Sequence, residues 1–363
     1  MARPTCATIH TDALRHNLAQ VRARAPDSRV MAVVKADGYG HGLERVARAL
    51  GGADAFGVAA LSDAERLRAA GVSHPILLLS GFDEPDDIAR LRQLGVDTVV
   101  HHACQLDMLA QAEPGEPIGC WLKLDTGMHR LGFAPEAARD AYARLTALAG
   151  VVGQVRLLNH FASSDDFLGG PGGGQQTREQ MRLFNEVTAG LPCERSLANS
   201  AAILGWPDSH ADWVRAGGAL YGQSVVAGTT GADFGLRPAM TLSTRLIAVN
   251  HVRKGERIGY SATWQCPQDM PVGVAAIGYG DGYPRAAPSG TPVLVDGRRT
   301  QVIGRVSMDL MTVDLRGIEG AKVGDPVTLW GEQLPIETIA EAAGTIGYEL
   351  TCSITRRVRF IER

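Results

Sequence analysis

Apolar residues in this chain gather into short continuous runs, separated by longer stretches in which they recur every three or four positions. The runs lie at 30–34, 56–59, 76–79, 96–100, 118–124, 155–159, 195–198 and 213–216. Runs this short and this uniform suit strands buried on both faces. Between them the spacing predicts helices. Leu14, Leu18 and Val21 share one face over 11–24. Ser62 and Glu65 have the spacing of a capping box at the start of 62–70. Pro135 opens a helix over 135–149, in the first turn where proline is tolerated. Eight strand–helix units in roughly 220 residues match a closed (β/α)8 TIM-type barrel. A doubly wound open sheet is the alternative, but it would not spread chemistry over so many strand ends.

The texture changes near 236. Met240, Leu242, Thr244, Leu246 and Ala248 alternate with period two. Further strands are expected at 272–277, 293–295, 301–306, 311–315 and 327–330, with a hairpin turn at Asp296-Gly297. One helix over 336–343 precedes a last strand near 355–361. This describes a barrel over 1–235 followed by a mostly antiparallel β domain over 236–363. The glycine-rich segment 169–174 reads as a loop insertion in the barrel.

Composition narrows the function. With 363 residues, two domains are expected. Hydrophobic content of 45% and charged content of 21% are those of a globular protein. A net charge of −3 gives no argument for nucleic acid or an anionic membrane as partner. No apolar run nears the ~18 residues of a membrane span. The first dozen residues lack the apolar stretch of a secretory signal, so a cytoplasmic location is expected. Six cysteines are scattered without a C-x-x-C pair, which suggests buried small hydrophobes and no metal site. The adjacent His101 and His102 read as a solvated strand end. Zinc-protease, Walker and serine-hydrolase motifs are absent from the sequence.

The first apolar run ends at Lys35, and Gly38, Gly40 and Gly42 follow it. Glycines at this density let the backbone turn tightly and approach a ligand closely. A lysine at the carboxyl end of a buried barrel strand sits where such folds place active sites. It either snorkels to solvent or serves as a Schiff-base amine.

The stretch 32–42, Ala-Val-Val-Lys-Ala-Asp-Gly-Tyr-Gly-His-Gly, resembles the cofactor-lysine signature of alanine racemases, pyridoxal-phosphate enzymes of fold type III. Segments 121–132, 160–162, 198–202, 214–217, 260–264, 277–283 and 304–309 match further family motifs in family order, across both domains. The resemblance implies interconversion of L- and D-alanine, for peptidoglycan supply or alanine breakdown, in a homodimer with composite sites. It implies that Lys35 holds pyridoxal 5′-phosphate and serves one face of the substrate α-carbon, with Tyr260 on the other. A tyrosine ordinarily titrates near ~10, so neighbours must tune it. The resemblance offers His160 beside Tyr260, and Arg215 between His160 and the pyridine nitrogen.

The same resemblance gives the phosphate to Tyr39, Tyr348, Ser200 and the backbone around Gly217 and Gly218. It gives Arg130 the phenolic oxygen and the carboxylate side of the substrate, the Met308 N–H the carboxylate itself, and Tyr279 the entrance. Lys123 matches a lysine often carbamylated in the family; an inward lysine paired to an acid is the other reading. Most pyridoxal enzymes set an acid against the ring nitrogen. An arginine there cannot give up its proton, so the nitrogen stays unprotonated and side reactions such as transamination are suppressed.

Asn159, Gly218 and the 169–174 segment depart from the family pattern and bear on substrate breadth. The alternatives are a serine or broad-specificity racemase, and a non-catalytic pyridoxal-phosphate carrier. The whole β domain with Tyr260 and Met308 argues against the carrier.

Overall fold

The computed structural model describes residues 4–151, 153–168 and 173–363. The chain forms two compact units. One comprises Arg15–Leu220 with Val226–Gly228; the other holds the segment ending at Leu14, Tyr221–Val225 and Thr229–Arg363. Among the described residues no helix is long and apolar enough to cross a membrane.

The first strand, β1 (Cys6–Ile9), corrects the boundary drawn at 235, which assigns it to the barrel. It pairs antiparallel with Met240–Val252 and parallel with Arg359–Glu362. Its partners lie more than two hundred positions away, so no local pattern reveals them.

The barrel unit contains β2 (Arg29–Val33), β3 (Ala55–Val58), β4 (Ile76–Leu78), β5 (Asp97–Val100), β6 (Cys120–Lys123), β7 (Arg156–Leu158), β8 (Arg195–Ser196) and β9 (Trp213–Ala216), closed in that order with every pair parallel. Each expected run is represented; β2 and β3 start one residue earlier than expected, and the others match or are shorter by up to three residues. Helix Thr11–Arg24 has the expected bounds, and Pro135 opens helix Pro135–Thr146. The capping box at Ser62 does not form. Helix Leu61–Ala69 starts one residue earlier, with Ala60 at its cap and no side-chain cap bond. Residues 169–172 of the expected loop insertion lie outside the described residues.

Inside the barrel, Met31, Ala55, Leu77, Val99, Trp121, Leu158 and Trp213 make one buried cluster drawn from seven strands. Trp121 and Trp213 meet edge to face at 5.6 Å. Charges ring the amino-terminal ends of the strands. Arg156 bonds Asp97 (3.2 Å) and Glu194 (2.8 Å), and Arg29 also pairs with Glu194. Trp213 donates its indole hydrogen to Glu194 at 3.0 Å, while the Arg29 guanidinium stacks 4.2 Å over its ring. This end of a barrel holds the fold together and leaves the opposite end for chemistry.

The second unit is built on β10 (Met240–Val252), whose period-two pattern marks a half-buried strand. The ribbon β11 (Arg257–Ile258) and β12 (Trp264–Gln265) stands apart as a two-stranded sheet. The remaining strands are β13 (Met270–Ala275), β14 (Pro292–Val295), β15 (Arg298–Gln301), β16 (Met311–Asp314), β17 (Pro326–Trp330) and β18 (Arg359–Glu362). The main sheet runs β15-β14-β17-β10-β1-β18, with β13 and β16 joined through β10. Every strand pair but β1–β18 is antiparallel.

Asp296 and Gly297, at φ 48° and 73°, form the hairpin turn and pair Val295 with Arg298. This register corrects the strand expected over 301–306. The return strand starts directly after the turn, and beyond it Val302 makes only an isolated bridge to Val313. Helix Ile336–Ala343 has the expected bounds, and the last strand begins later than 355. Of the six cysteines only Cys120 and Cys266 are buried; Cys104 and Cys352 are exposed, and none is disulfide-bonded.

Candidate active site

Lys35 stands just past the end of β2, at the carboxyl mouth of the barrel, and is exposed there. The turn it opens is left-handed. Ala36, Asp37, Gly38 and Tyr39 have φ between 52° and 62°. Side chains disfavour this region by roughly 1–2 kcal/mol each, so three non-glycine residues in one four-residue turn require support. The Gly38 N–H donates to Val34 O (2.9 Å) and Gly42 N–H to Asp37 O (2.8 Å). His41, wholly buried, directs Nδ1 at the carbonyls of Tyr39 (2.8 Å) and Gly38 (3.1 Å). Burial outweighs these bonds and brings its imidazole down to about 4, so it is neutral. A Cβ on Gly38 would lie 2.8 Å from Val46, which fixes glycine at that step. The three glycines signalled a tight turn, but the left-handed Ala36, Asp37 and Tyr39 gave no sign in the sequence.

The turn brings Tyr39 to the end of β9. A Cβ on Gly217 would sit 2.6 Å from the Tyr39 hydroxyl and 3.8 Å from Ser200 Oγ. The Gly217 N–H donates to Ser200 Oγ (2.8 Å), as does the Ala219 N–H (3.2 Å). Gly217 therefore contributes space, its donor being used, whereas the Gly218 N–H donates to no described residue. Asn199, a residue with no role in the sequence reading, caps helix Ser200–Gly205 through Ala202 N (3.0 Å) and accepts from Ser164 (2.8 Å). It holds Ser200 in place.

Arg215 is buried on β9, and among the described residues no carboxylate pairs with it. It donates to Ser196 O (2.8 Å), Ser196 Oγ (2.7 Å), Asn159 O (2.7 Å) and Leu197 O (3.2 Å). Those oxygens occupy its two terminal nitrogens, so Nε is the donor with no described protein partner. Burial lowers the guanidinium to about 10, which still leaves it charged at neutral pH. Asn159, a departure from the family pattern, is buried and donates to Thr126 Oγ1 at 3.1 Å.

Lys123 ends β6 and is buried. Burial, then the charges of Arg215, Arg130 and Lys35, push its ammonium down to about 8 against the pull of Asp125. Asp125 is occupied elsewhere: its Oδ1 accepts three backbone N–H groups, from Gly127, Met128 and His129, each at 3.0 Å. That turn carries the exposed Arg130. His160 follows β7. Burial and the charges of Arg215, Arg130, Lys123 and Lys35 bring its imidazole down to about 3. It is neutral in the working range. Gln180 steadies its loop, donating to His160 O (3.1 Å) and accepting from Ala162 N (2.9 Å). A cavity of about 280 Å³ beside Arg130 is lined by Phe82, Asp83, His101, His102 and Leu131. His102, exposed just past the end of β5, also caps the helix Ala103–Gln111.

Four further candidates lie in the second unit. Tyr260 is 67% exposed, in the turn between β11 and β12. A Cβ on the preceding Gly259 would lie 3.3 Å from Arg305 N, so this turn packs on the segment leading to Met308. Tyr279 and Met308 are also exposed, and their loops are joined by Tyr279 N–H to Ser307 O (3.0 Å) and Gly280 N–H to Met308 O (2.8 Å). Tyr348 is half-buried on helix Gly347–Cys352.

The barrel residues fit pyridoxal phosphate. Lys35 could bond an aldehyde, the Nε of Arg215 could meet a ring nitrogen, and the Gly217 cradle with Tyr39, Ser200 and Gly218 could take a phosphate. Among the described residues no cluster of histidine, cysteine or carboxylate side chains could hold a metal ion.

Comparison with known proteins agrees with this layout. Residues 9–225 match the family model for the alanine racemase N-terminal domain, and 239–362 that for its C-terminal domain. The chain is 52% identical over 353 residues to an alanine racemase of Shewanella loihica, covering 97% of both chains. It is 50% identical over 360 residues to one of Halorhodospira halophila, covering 99% of this chain and 98% of that one. The crystal structure of a biosynthetic alanine racemase from Pseudomonas aeruginosa superposes with a TM-score of 0.95 at 45% identity, covering 99% of each chain. The structure from Acinetobacter baumannii gives 0.92 at 36%, covering 99% of this chain and 100% of that one.

Proposed function

The chain belongs to the alanine racemase family, and from that premise we propose that it interconverts L- and D-alanine with pyridoxal phosphate held at Lys35. The observation that carries the reading is the left-handed turn, which presents Lys35 and Tyr39 at the barrel mouth among Lys123, Arg130 and Arg215. The arginines favour a phosphate and a substrate carboxylate. Bound pyridoxal phosphate supplies an electron sink for the charge that develops on the α-carbon.

The protein residues supply the rest. Lys35 takes or returns the α-proton on one face, and Tyr260 does so on the other. Arg215 presents an N–H that it does not surrender, which leaves a facing ring nitrogen unprotonated and favours reprotonation at the α-carbon. The neutral His160 can take part in hydrogen bonding to the phenol without adding a charge. Arg130 orients the carboxylate side, Met308 offers its amide to the carboxylate, and Tyr279 guards the entrance. Ser200, Gly217, Gly218, Tyr39 and Tyr348 hold the phosphate. The exposure of Tyr260 and Met308, at 67% and 52%, supports a homodimer in which these side chains serve a partner's barrel.

Lys123 is suited to carbamylation. The ammonium first gives up one proton; the neutral amine then adds carbon dioxide, forms an N–C bond and releases a second proton, so that a cation among arginines becomes an anion that pairs with Arg130. A lysine held near 8 has the neutral amine this addition needs.

The test follows optical rotation of L-alanine, and separately L-serine, with protein loaded with pyridoxal phosphate. Rotation of alanine decaying to zero much faster than that of serine supports the reading. Comparable rates would point to broad specificity, and a loaded protein without racemisation to a carrier.

A further inference from the structure

We propose that Arg357 is a positioning residue for substrate-carboxylate recognition, clamping the Tyr279 turn to the Met308 loop. The proposal rests on the reading of Tyr279 and Met308 given above.

Three segments far apart in sequence interlock here. Asp281 ends the short helix Tyr279–Asp281 and is wholly buried. Its Oδ2 accepts from Gly278 N at 3.0 Å, and its Oδ1 lies 3.3 Å from Arg357 Nε. The same guanidinium reaches across and donates from its terminal nitrogen to Asp309, the neighbour of Met308. One planar cation therefore spans two carboxylates, one buried and one half-exposed, a geometry that guanidinium offers and a lysine ammonium does not. Thr355, two residues before Arg357, ties its own segment to the same turn. Its N–H donates to Asp281 O (3.1 Å) and its hydroxyl to Gly280 O (2.9 Å).

The fit leaves no room for side chains. A Cβ on Gly280 would meet Arg357 at 2.4 Å, one on Gly278 would meet Ser307 O at 2.2 Å, and one on Gly282 would meet Ser353 O at 2.3 Å. Within this clamp the Met308 carbonyl is consumed by Gly280 N–H, while the Met308 N–H donates to no described residue. The clamp thus fixes one peptide plane with its donor outward. Arg357 also offsets the charge of Asp281 and Asp309, two carboxylates that would otherwise repel an approaching carboxylate.

The experiment compares Arg357→Ala, Arg357→Lys and Tyr279→Ala in the cofactor-loaded protein, by steady-state kinetics and by amide hydrogen exchange of peptides covering 276–283 and 304–311. For Arg357→Ala we expect faster exchange in both peptides and a loss of about ten- to hundredfold in kcat/KM carried mainly by KM. Arg357→Lys should restore part of the KM, since it can pair with only one of the two acids at a time. Unchanged exchange in Arg357→Ala overturns the clamp. Faster exchange with unchanged KM, while Tyr279→Ala raises KM, overturns the role of Arg357 in recognition and leaves the site reading standing. If neither variant moves KM, the site reading itself falls and the proposal falls with it.

Discussion

His41 donates its Nδ1 hydrogen to the carbonyl of Tyr39, 2.8 Å away, across a turn whose residues are themselves left-handed. The bond links the residue that the resemblance assigns to the phosphate with a motif histidine to which the sequence assigned no role. It also explains why a neutral histidine is needed, because a ring that is buried and charged would cost far more than the hydrogen bond returns.

His41→Ala should therefore destabilise the fold by about 2–4 kcal/mol, from the lost bond and the cavity together. Urea melts measure the loss. Cofactor retention after dialysis should drop further than stability alone explains, because Lys35 and Tyr39 lose their common support.

Lys123 gives a pH prediction. Its folded value, about 8, lies below the ordinary 10.5, so charging it works against the folded state. Its contribution is present above 10.5 and is lost as pH falls through 8. Carbamate formation needs the same neutral amine. Protein equilibrated with carbon-13 bicarbonate should show a carbamate carbon resonance that strengthens from pH 7 to pH 9 and is absent in Lys123→Ala.

Glu194 gives the opposite case, at the closed end of the barrel. Burial would raise its carboxyl, but hydrogen bonds from Trp213, Arg29 and Arg156 overcome that and bring it from 4.5 down to about 2. The stabilisation is complete above 4.5 and is lost as pH falls through 2. Solvent screening of these partly exposed ion pairs leaves a net contribution at neutral pH on the order of 1 kcal/mol. The stability gap between the natural protein and Glu194→Gln should stay constant down to about pH 5 and narrow from there toward pH 2 in urea melts.

Arg215→Glu tests the electrostatic assignment. A carboxylate in place of the buried cation would let a facing ring nitrogen keep a proton. Racemisation should fall on the order of 100-fold or more, and keto acid should accumulate as transamination appears. Loss of racemisation without keto acid would confine Arg215 to structural support of Ser196 and Asn159.

Much of the fold is legible because each barrel strand is a short, uniformly apolar run, and burial on both faces leaves that mark in the sequence. The strand β1 and the Arg357 clamp are not legible, because their partners lie far away in sequence. Arg357 resembles any surface arginine until Asp281 and Asp309 are seen beside it. The candidate site was legible as a set of motifs. Its physical supports were not: the left-handed Ala36, Asp37 and Tyr39, the capping Asn199 and the bracing Gln180 are all ordinary residue types whose work is set by tertiary contacts.

A shared-site homodimer makes a further prediction. Co-expressed Lys35→Ala and Tyr260→Phe subunits, each inactive by itself, should recover part of the activity in mixed dimers, up to about a quarter of wild type if the subunits mix at random and each site is independent. Verified mixing without recovery would mean that each chain supplies its own pair.

The most direct test of the central claim is borohydride reduction of protein loaded with pyridoxal phosphate, followed by mass mapping of the peptides. The expected result is one pyridoxyl group on the peptide containing Lys35, with the reduced protein inactive toward alanine. A label on Lys123 or another lysine, or no label on folded and saturated protein, would contradict the placement of the cofactor at the left-handed turn.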